Sequence, residues 1–372
     1  MKEKHELGKV TEGGEGMDRH IDALNIECYR GLKNLRLQDL NDINILTGNN
    51  NSGKTSVLEL ISSLDSPKDL STWIKMCRLD GGKNYYRGIL NLFPTDAEDM
   101  RLQYSYMERD LENIVAVNAQ IQEERMLESD IDRINGVIRE EYYQKNVRIY
   151  GSYVDTRRVI IHIFVNGAGI GHTIYDFQTK IAYEKLQQKH FPVIYVSPSA
   201  HTNGEIFLDD VMESPALYQR LMKILNEFDD SIMNITKSGN GTEYMILSYK
   251  RNKAMPLSVY GDGMKKALAL LAAVVKAKDG ILLLDEFETA IHTSAMNNIF
   301  AWILQSAQKL NVQVFMSSHS LEAIDKVLKC SPELQDKINL YTLYNKEGKN
   351  LVRKMSCTEA IKAQDDWGVE LR

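Results

Sequence analysis

The stretch Gly48-Asn49-Asn50-Asn51-Ser52-Gly53-Lys54-Thr55 fits the pattern G-x-x-x-x-G-K-[ST], in which backbone N–H groups close around the oxygens of a nucleotide phosphate. Glycines at both ends permit that approach. Lys54 is expected to reach the β and γ oxygens of ATP, and the Thr55 hydroxyl to ligate Mg2+. Asn49, Asn50, Asn51, Ser52, Gly53 and Ser56 would complete the nucleotide contact. The plain alternative is a chance glycine-rich turn. The flanks argue against it, because an apolar strand, Ile43 to Thr47, precedes the loop and a helical pattern, Thr55 to Leu64, follows it. That order aims the positive end of a helix at the phosphates.

Three further stretches could do chemistry with it. Ile281-Leu282-Leu283-Leu284-Asp285-Glu286 is an apolar strand ending in two acids. Seen alone, these could be two solvated carboxylates. Downstream of a phosphate loop, Asp285 is expected to hold Mg2+ and Glu286 to orient or polarise the attacking water. Phe315-Met316-Ser317-Ser318-His319-Ser320 closes the next strand, which places His319 as a γ-phosphate contact. A lone histidine is more often structural, but its position one strand after the acids favours the functional reading. Leu257-Ser258-Val259-Tyr260-Gly261-Asp262-Gly263-Met264-Lys265-Lys266 opens a helix. Gly261 and Gly263 there would form a second anion site, or simply an ordinary helix start. One chain with one phosphate loop has no internal use for a second site, whereas a homodimer could use it to cap its partner's ATP.

The elements that must position these groups follow from periodicity. Strands are expected from Ile21 to Cys28 and Leu32 to Leu40, with Tyr29-Arg30-Gly31 as the turn. Val193 to Val196, Ile281 to Leu284 and Val312 to Met316 read as buried strands. Ala216–Phe228, Gly263–Ala277, Ser294–Leu310 and Leu321–Leu328 read as helices, the second apolar enough to be deeply buried. Ile232 to Ile235 and Tyr244 to Tyr249 suggest a small hairpin around Gly239-Asn240-Gly241. Ile338 to Leu343 and Leu351 to Met355 suggest a closing one. This alternation implies a mainly parallel sheet covered on both faces. The middle is harder to read. Arg101 to Met107, Val147 to Tyr153 and Arg157 to Asn166 read as strands, Ile121 to Tyr142 as an amphipathic helix, and Gly167, Gly169 and Gly171 as a turn. Asn113 to Gln122 fits a strand equally well. The expected organisation is a disordered leader over 1–18, an ATPase head over 19–64 and 191–372, and a mixed β/α insertion over 65–190.

The 372 residues carry a net charge of −6 and 43% hydrophobic residues, which fits a folded globular chain with no global basic field for nucleic acid. Lys250-Arg251-Asn252-Lys253 is the clearest basic cluster, and reads equally as a solvated hairpin tip. No apolar run approaches the ~20 residues that span a bilayer, so no membrane partner is expected. Cys28, Cys77, Cys330 and Cys357 are scattered and lack C-x-x-C spacing. They read as buried free thiols in a reducing cytosol, and hence as a cytoplasmic protein.

With these pieces in this order the chain resembles the ABC-type ATPases of the RecF/SMC and OLD (overcoming lysogenization defect) group. Within it, the chain looks like the AAA-family ATPases of bacterial phage-defence and abortive-infection loci. The resemblance implies an α/β P-loop NTPase fold, an ABC-ATPase-like head with an N-terminal antiparallel β portion. It also implies an ATP-sandwich homodimer, with Glu286 as catalytic base and His319 as switch histidine. Arg30 matches the position where this group places an arginine near the nucleotide. There are departures. Gly261 stands where the ABC signature has serine, with Ser258 three residues earlier. His292 stands where many transporters carry Asp, which speaks against a transport subunit. The Q-loop glutamine has no clear counterpart, Gln103 being one candidate. OLD nucleases continue into a Toprim domain with acidic metal ligands. The stretch from His319 to Arg372 is too short for one, and Asp365-Asp366 reads as a solvated tail.

The expectation is therefore an ATP-hydrolysing dimeric switch that controls a separately encoded effector nuclease or toxin. A RecF/SMC-like ATPase acting directly on DNA and a nucleotide-gated scaffold with little turnover are the alternatives. Lys54→Ala should abolish ATP binding, measured as loss of the fluorescence change of a labelled ATP analogue; retained binding would remove the phosphate loop from its role.

Overall fold

The computed structural model describes residues 19–78, 84–95, 99–136, 152–178, 181, 191–200, 202, 206, 208–239, 243–251, 253–368 and 370–371. The chain begins with β1 (Ala23–Tyr29), β2 (Leu32–Leu37) and β3 (Ile43–Thr47), followed by α1 (Lys54–Ser62), α2 (Leu70–Met76) and α3 (Tyr85–Leu90). Next come β4 (Arg101–Glu108), β5 (Leu111–Leu127), α4 (Glu128–Ile134), β6 (Tyr153–Val165), β7 (Ala168–Tyr175) and β8 (Val193–Val196). After α5 (Asp209–Glu213) and α6 (Pro215–Phe228), β9 (Ile232–Lys237), β10 (Tyr244–Ser248) and β11 (Met255–Pro256) form a small sheet. The rest alternates α7 (Asp262–Lys276), β12 (Ile281–Leu284), α8 (Thr293–Lys309), β13 (Gln313–Ser317) and α9 (Leu321–Lys329). It closes with β14 (Ile338–Lys346), β15 (Lys349–Ser356) and α10 (Cys357–Trp367).

The central sheet has the order β15-β14-β3-β13-β12-β8. All its pairings are parallel except the closing β14–β15 hairpin. Its central strands β3, β12 and β13 are short and fully buried because both faces are covered there, as parallel sheets require. Ile43, Ile45, Leu282, Leu284, Val314 and Met316 face one core with residues of α7, α8 and α9. Leu46, Ile281, Leu283, Phe315 and Leu343 face the other, with α1 and the second sheet. That second sheet, β2-β1-β4-β5-β6-β7, is antiparallel throughout. The expected mainly parallel sheet and the N-terminal antiparallel portion are both present.

The structure differs from several expectations. Ile121 to Leu127 is the end of β5, not a helix, and only Glu128–Ile134 coils. Helical spacing along one segment could not reveal the partner strand β6, which pairs with β5 from Val115↔Val165 to Leu127↔Tyr153. Ion pairs cross that ladder, Glu123–Arg157 at 3.2 Å and Glu124–Arg158 at 3.1 Å. Of the three glycines read as a turn, only Gly167 turns, at φ +81°, while Gly169 and Gly171 lie within β7. Gly169 is opposite Phe164, and a Cβ there would lie 2.6 Å from its ring. The glycine makes room for the aromatic ring. Asp365 and Asp366 are exposed, as expected, but they lie on α10, which begins with a Ser356/Glu359 capping box, instead of in an irregular tail; Asp365 pairs with Lys329 at 3.0 Å. Gln103 sits in β4 opposite Ala116 and bonds Arg101, so its contacts lie within the antiparallel sheet. The expected leader over 1–18, the start of the strand from Val147, residues 137–142 of the expected helix and part of the Gly239–Gly241 turn lie outside the described residues. All four cysteines are free, but only Cys357 is buried.

One buried side chain of the central sheet holds the backbone on either side of the β1–β2 hairpin. The buried Gln313 amide oxygen accepts from Ile21 N at 2.9 Å and His20 N at 3.2 Å, and its nitrogen donates to Ile21 O and Asn41 O. Gln313→Ala strands these buried groups and should cost about 2–4 kcal/mol. The expected readout is a lower urea midpoint with unchanged slope; a midpoint within error of wild type would remove that role.

Candidate nucleotide site

The phosphate loop leaves the fully buried β3 at the carboxyl end of the sheet, where β12 and β13 also end. Its conformation needs its glycines. Gly48 has φ +133°, and a Cβ there would lie 2.1 Å from Leu343 O. Gly53 has φ +99° and would press a Cβ to 2.4 Å from Leu32 Cδ2. Asn51 is also left-handed, at φ 65°, a conformation asparagine tolerates. Asn49, Asn50 and Asn51 are exposed, and Thr55 and Ser56 are half-buried on the first turn of α1. Ser52 is buried, and its Oγ has no hydrogen-bond partner among the described residues. The buried Lys54 folds back so that its Nζ donates to Gly48 O at 2.7 Å and Asn49 O at 3.0 Å. Burial pushes its ammonium below the ordinary range, while Asp285, Glu286 and Glu288 pull the other way. An unsatisfied hydroxyl and a lysine bonded only to loop carbonyls suit a bound phosphate.

Asp285 is 3% exposed and ties four elements together. Its Oδ1 accepts from Ser317 Oγ at 2.5 Å and Thr55 Oγ1 at 3.3 Å, and its Oδ2 from Tyr195 OH at 2.9 Å. Burial and the neighbouring Asp285 charge push the Tyr195 phenol well up, so it stays a donor. Carboxylate and hydroxyl oxygens are the donor set that Mg2+ prefers, and Asp285 and Thr55 are the residues that would hold it. Glu286 follows with φ 43°, a strained backbone for a non-glycine residue and of the kind found at functional sites. Its N–H donates to Ser317 Oγ at 3.0 Å, and its Oε1 lies 3.8 Å from His319 Nδ1. Both side chains are partly exposed, so they line the mouth of the site.

The structure thus brings Lys54, Thr55, Asp285, Glu286 and His319 to one sheet end. It sets Arg30 apart: the guanidinium lies 2.9 Å from Glu59 on α1 and donates to Met76 O. Gly261 and Gly263 differ from each other. Gly261 caps α7 and is exposed, with nothing within 4 Å of a Cβ. At Gly263 a Cβ would lie 3.0 Å from Ala290 O, so this glycine admits the loop after Glu286. Ser258, three residues before Gly261, is exposed, and His292 caps α8. Lys250 pairs with Asp230 at 2.7 Å and Arg251 lies over Tyr260, so that basic tip is largely engaged.

Sequence reasoning assigned no role to Tyr195, Ser317 or Lys266. Ser317 was legible as a hydroxyl at a strand end next to the acids. Tyr195 needed the strand order, which puts β8 beside β12.

Two family models match: one described as an AAA ATPase domain over residues 20–195, the other as an AAA domain, putative AbiEii toxin, Type IV TA system, over 188–325. The fold is that of an α/β P-loop ATPase. A Helicobacter pylori protein described as an ATP/GTP phosphatase is 23% identical over 337 residues, 83% of this chain and 88% of that one. An uncharacterized protein of Methanocaldococcus jannaschii is 32% identical over 114 residues, 30% of this chain and 98% of its own. Among solved structures, an SMC head bound to the C-terminal winged-helix domain of ScpA aligns with TM-score 0.49 and 11% identity over 92% of this chain and all of its own. The Thermotoga maritima SMC head gives 0.47 and 14% over 91% of this chain and all of its own. At these scores, strand order and the phosphate loop carry the fold. Among the described residues no helix is long and apolar enough to cross a membrane.

The two glycines make separable expectations. Gly263→Ala should cost about 1–3 kcal/mol of urea stability through crowding, and Gly261→Ala should stay within about 0.5 kcal/mol. Equal losses would mean that the space beside Gly261 is not open in the folded chain.

Proposed function

We propose that this chain hydrolyses ATP to ADP and phosphate and uses the cycle to close and open a homodimer. The observation that carries the reading is Glu286, held in left-handed backbone with its N–H on Ser317 and its carboxylate 3.8 Å from His319. It stands directly after the buried Asp285, which reaches Thr55 of the phosphate loop. In this reading Lys54 leaves the loop carbonyls for the phosphate oxygens, and the N-terminus of α1 faces the same charge. Glu286 takes the position from which a carboxylate accepts a proton from the attacking water. His319, on the neighbouring strand end, donates toward the γ-phosphate. A Mg2+ held by Thr55 and Asp285 would neutralise developing phosphate charge. The exposed Gly261 edge of α7 faces a second subunit's nucleotide, which makes the closed state a dimer.

The match described as a putative AbiEii toxin of a Type IV TA system supports placing the chain in a toxin–antitoxin or abortive-infection setting. There, as in OLD-like systems, it would act as a sensor ATPase that holds or releases a separately encoded nuclease or toxin. The engaged Lys250 and Arg251 give the DNA-binding alternative no comparable support.

Glu286→Gln should lower steady-state phosphate release about 10²–10⁴-fold while preserving ATP binding. It should also accumulate a species of twice the monomer mass with ATP, seen by light scattering after size exclusion. A variant that turns over at the wild-type rate would remove Glu286 as the base.

A further inference from the structure

α7 is apolar along the stretch Ala267–Val274, yet it buries a lysine completely. Lys266 is 0% exposed, among the largest fully buried side chains of the protein. Its Nζ donates to Ser197 O and Pro198 O, each at 3.2 Å, and no ion pair among the described residues includes it. Burial pushes its ammonium down to about 8, opposed by the fields of Glu288, Asp285 and Glu286. A buried charge on neutral carbonyls is poor stabilisation, since an apolar side chain of equal volume commonly does better. Its use lies in what it joins.

One end of that connection is the N-terminal turn of α7, which begins at Asp262 just after Gly261. The other is the turn that leaves β8. Parallel pairing sets Tyr195 beside Leu283 and Val196 beside Leu284, and Asp285 N donates to Val196 O at 3.0 Å. Tyr195 then donates to Asp285 Oδ2 at 2.9 Å. Lys266 therefore fixes the two carbonyls that follow this strand end. A second contact runs alongside, because Gly263 abuts Ala290 O, and Ser318 Oγ donates to Glu288 Oε1 at 2.7 Å while Glu288 Oε2 is buried with no hydrogen-bond partner among the described residues.

We infer that Lys266 is a positioning residue for the metal-binding carboxylate, linking the α7 edge that faces the second subunit to Asp285 through the Ser197-Pro198 turn and Tyr195. This rests on the ATPase reading above and adds to it a route by which subunit closure sets the metal site. Tyr195 is the last donor of that route and acts on Asp285 directly.

The test measures Mn2+ binding to the full chain with the non-hydrolysable analogue AMP-PNP, by electron paramagnetic resonance. Lys266→Met and Tyr195→Phe should each weaken Mn2+ binding about 10-fold, as loss of an outer partner of a ligand does. Metal-free AMP-PNP binding should stay within about 2-fold of wild type, because the phosphate loop is untouched. The double variant should be no weaker than Tyr195→Phe alone, since both changes break one route. Lys266→Gln, which keeps a donor for the turn, should fall between wild type and methionine, and it carries the test if the methionine variant does not fold. Wild-type Mn2+ affinity in either folded Lys266 variant, or losses that add in the double variant, would overturn the link. Failure of the wild-type chain itself to bind AMP-PNP would instead overturn the ATPase reading.

Discussion

The structure depends on how one buried carboxylate is satisfied. Asp285 lies at the end of β12, 3% exposed, where an ionised group without partners would be prohibitively costly. Three hydroxyls answer it: Thr55 from α1, Ser317 from β13 and Tyr195 from β8. Each comes from a different segment of the sequence. The carboxylate thus ties together the ends of the strands around it. The same bonds that make its burial tolerable orient it toward the phosphate loop, so stability and preorganisation share one cause. Ser317 extends the arrangement by taking the Glu286 N–H, which steadies a left-handed residue.

Around that point the fold is a layered answer to a sheet that is apolar on both faces. Helices α7 to α9 cover one face, and α1 with the antiparallel sheet covers the other. Gln313 satisfies the backbone where the chain enters the antiparallel sheet. The antiparallel sheet is more than an ornament on the core, because Tyr29 at the end of β1 donates to Glu59 of α1. Glu59 also takes Arg30 and Arg78. Arg30 thereby braces the helix that carries Lys54 and Thr55.

The helix α7 has two jobs that its composition alone does not separate. Its apolar side fills the core against α8, while its first turn presents Gly261 to open space. Gly263 and Lys266 lie between, one admitting the Ala290 carbonyl and the other holding the turn after β8. The same short stretch therefore touches a solvent-facing edge and both loops beside the acids.

What the sequence determined by itself was local: the phosphate loop between strand and helix, the acids closing Ile281–Leu284, the histidine one strand later, and the buried character of α7. Each is a short pattern whose physics is complete within about a dozen residues. The tertiary structure decided what depended on distant partners. Ile121 to Leu127 became strand because β6 offered a ladder, and Gly169 entered a strand because Phe164 lay across from it. Tyr195 became a ligand of Asp285 because strand order set β8 against β12. Gly261 and Gly263, alike in sequence, acquired different neighbours. Arg30 turned to Glu59 instead of the loop because the hairpin end sits over α1. Periodicity shows which face of an element is buried. It does not show what that face meets, because such contacts join residues tens to hundreds of positions apart.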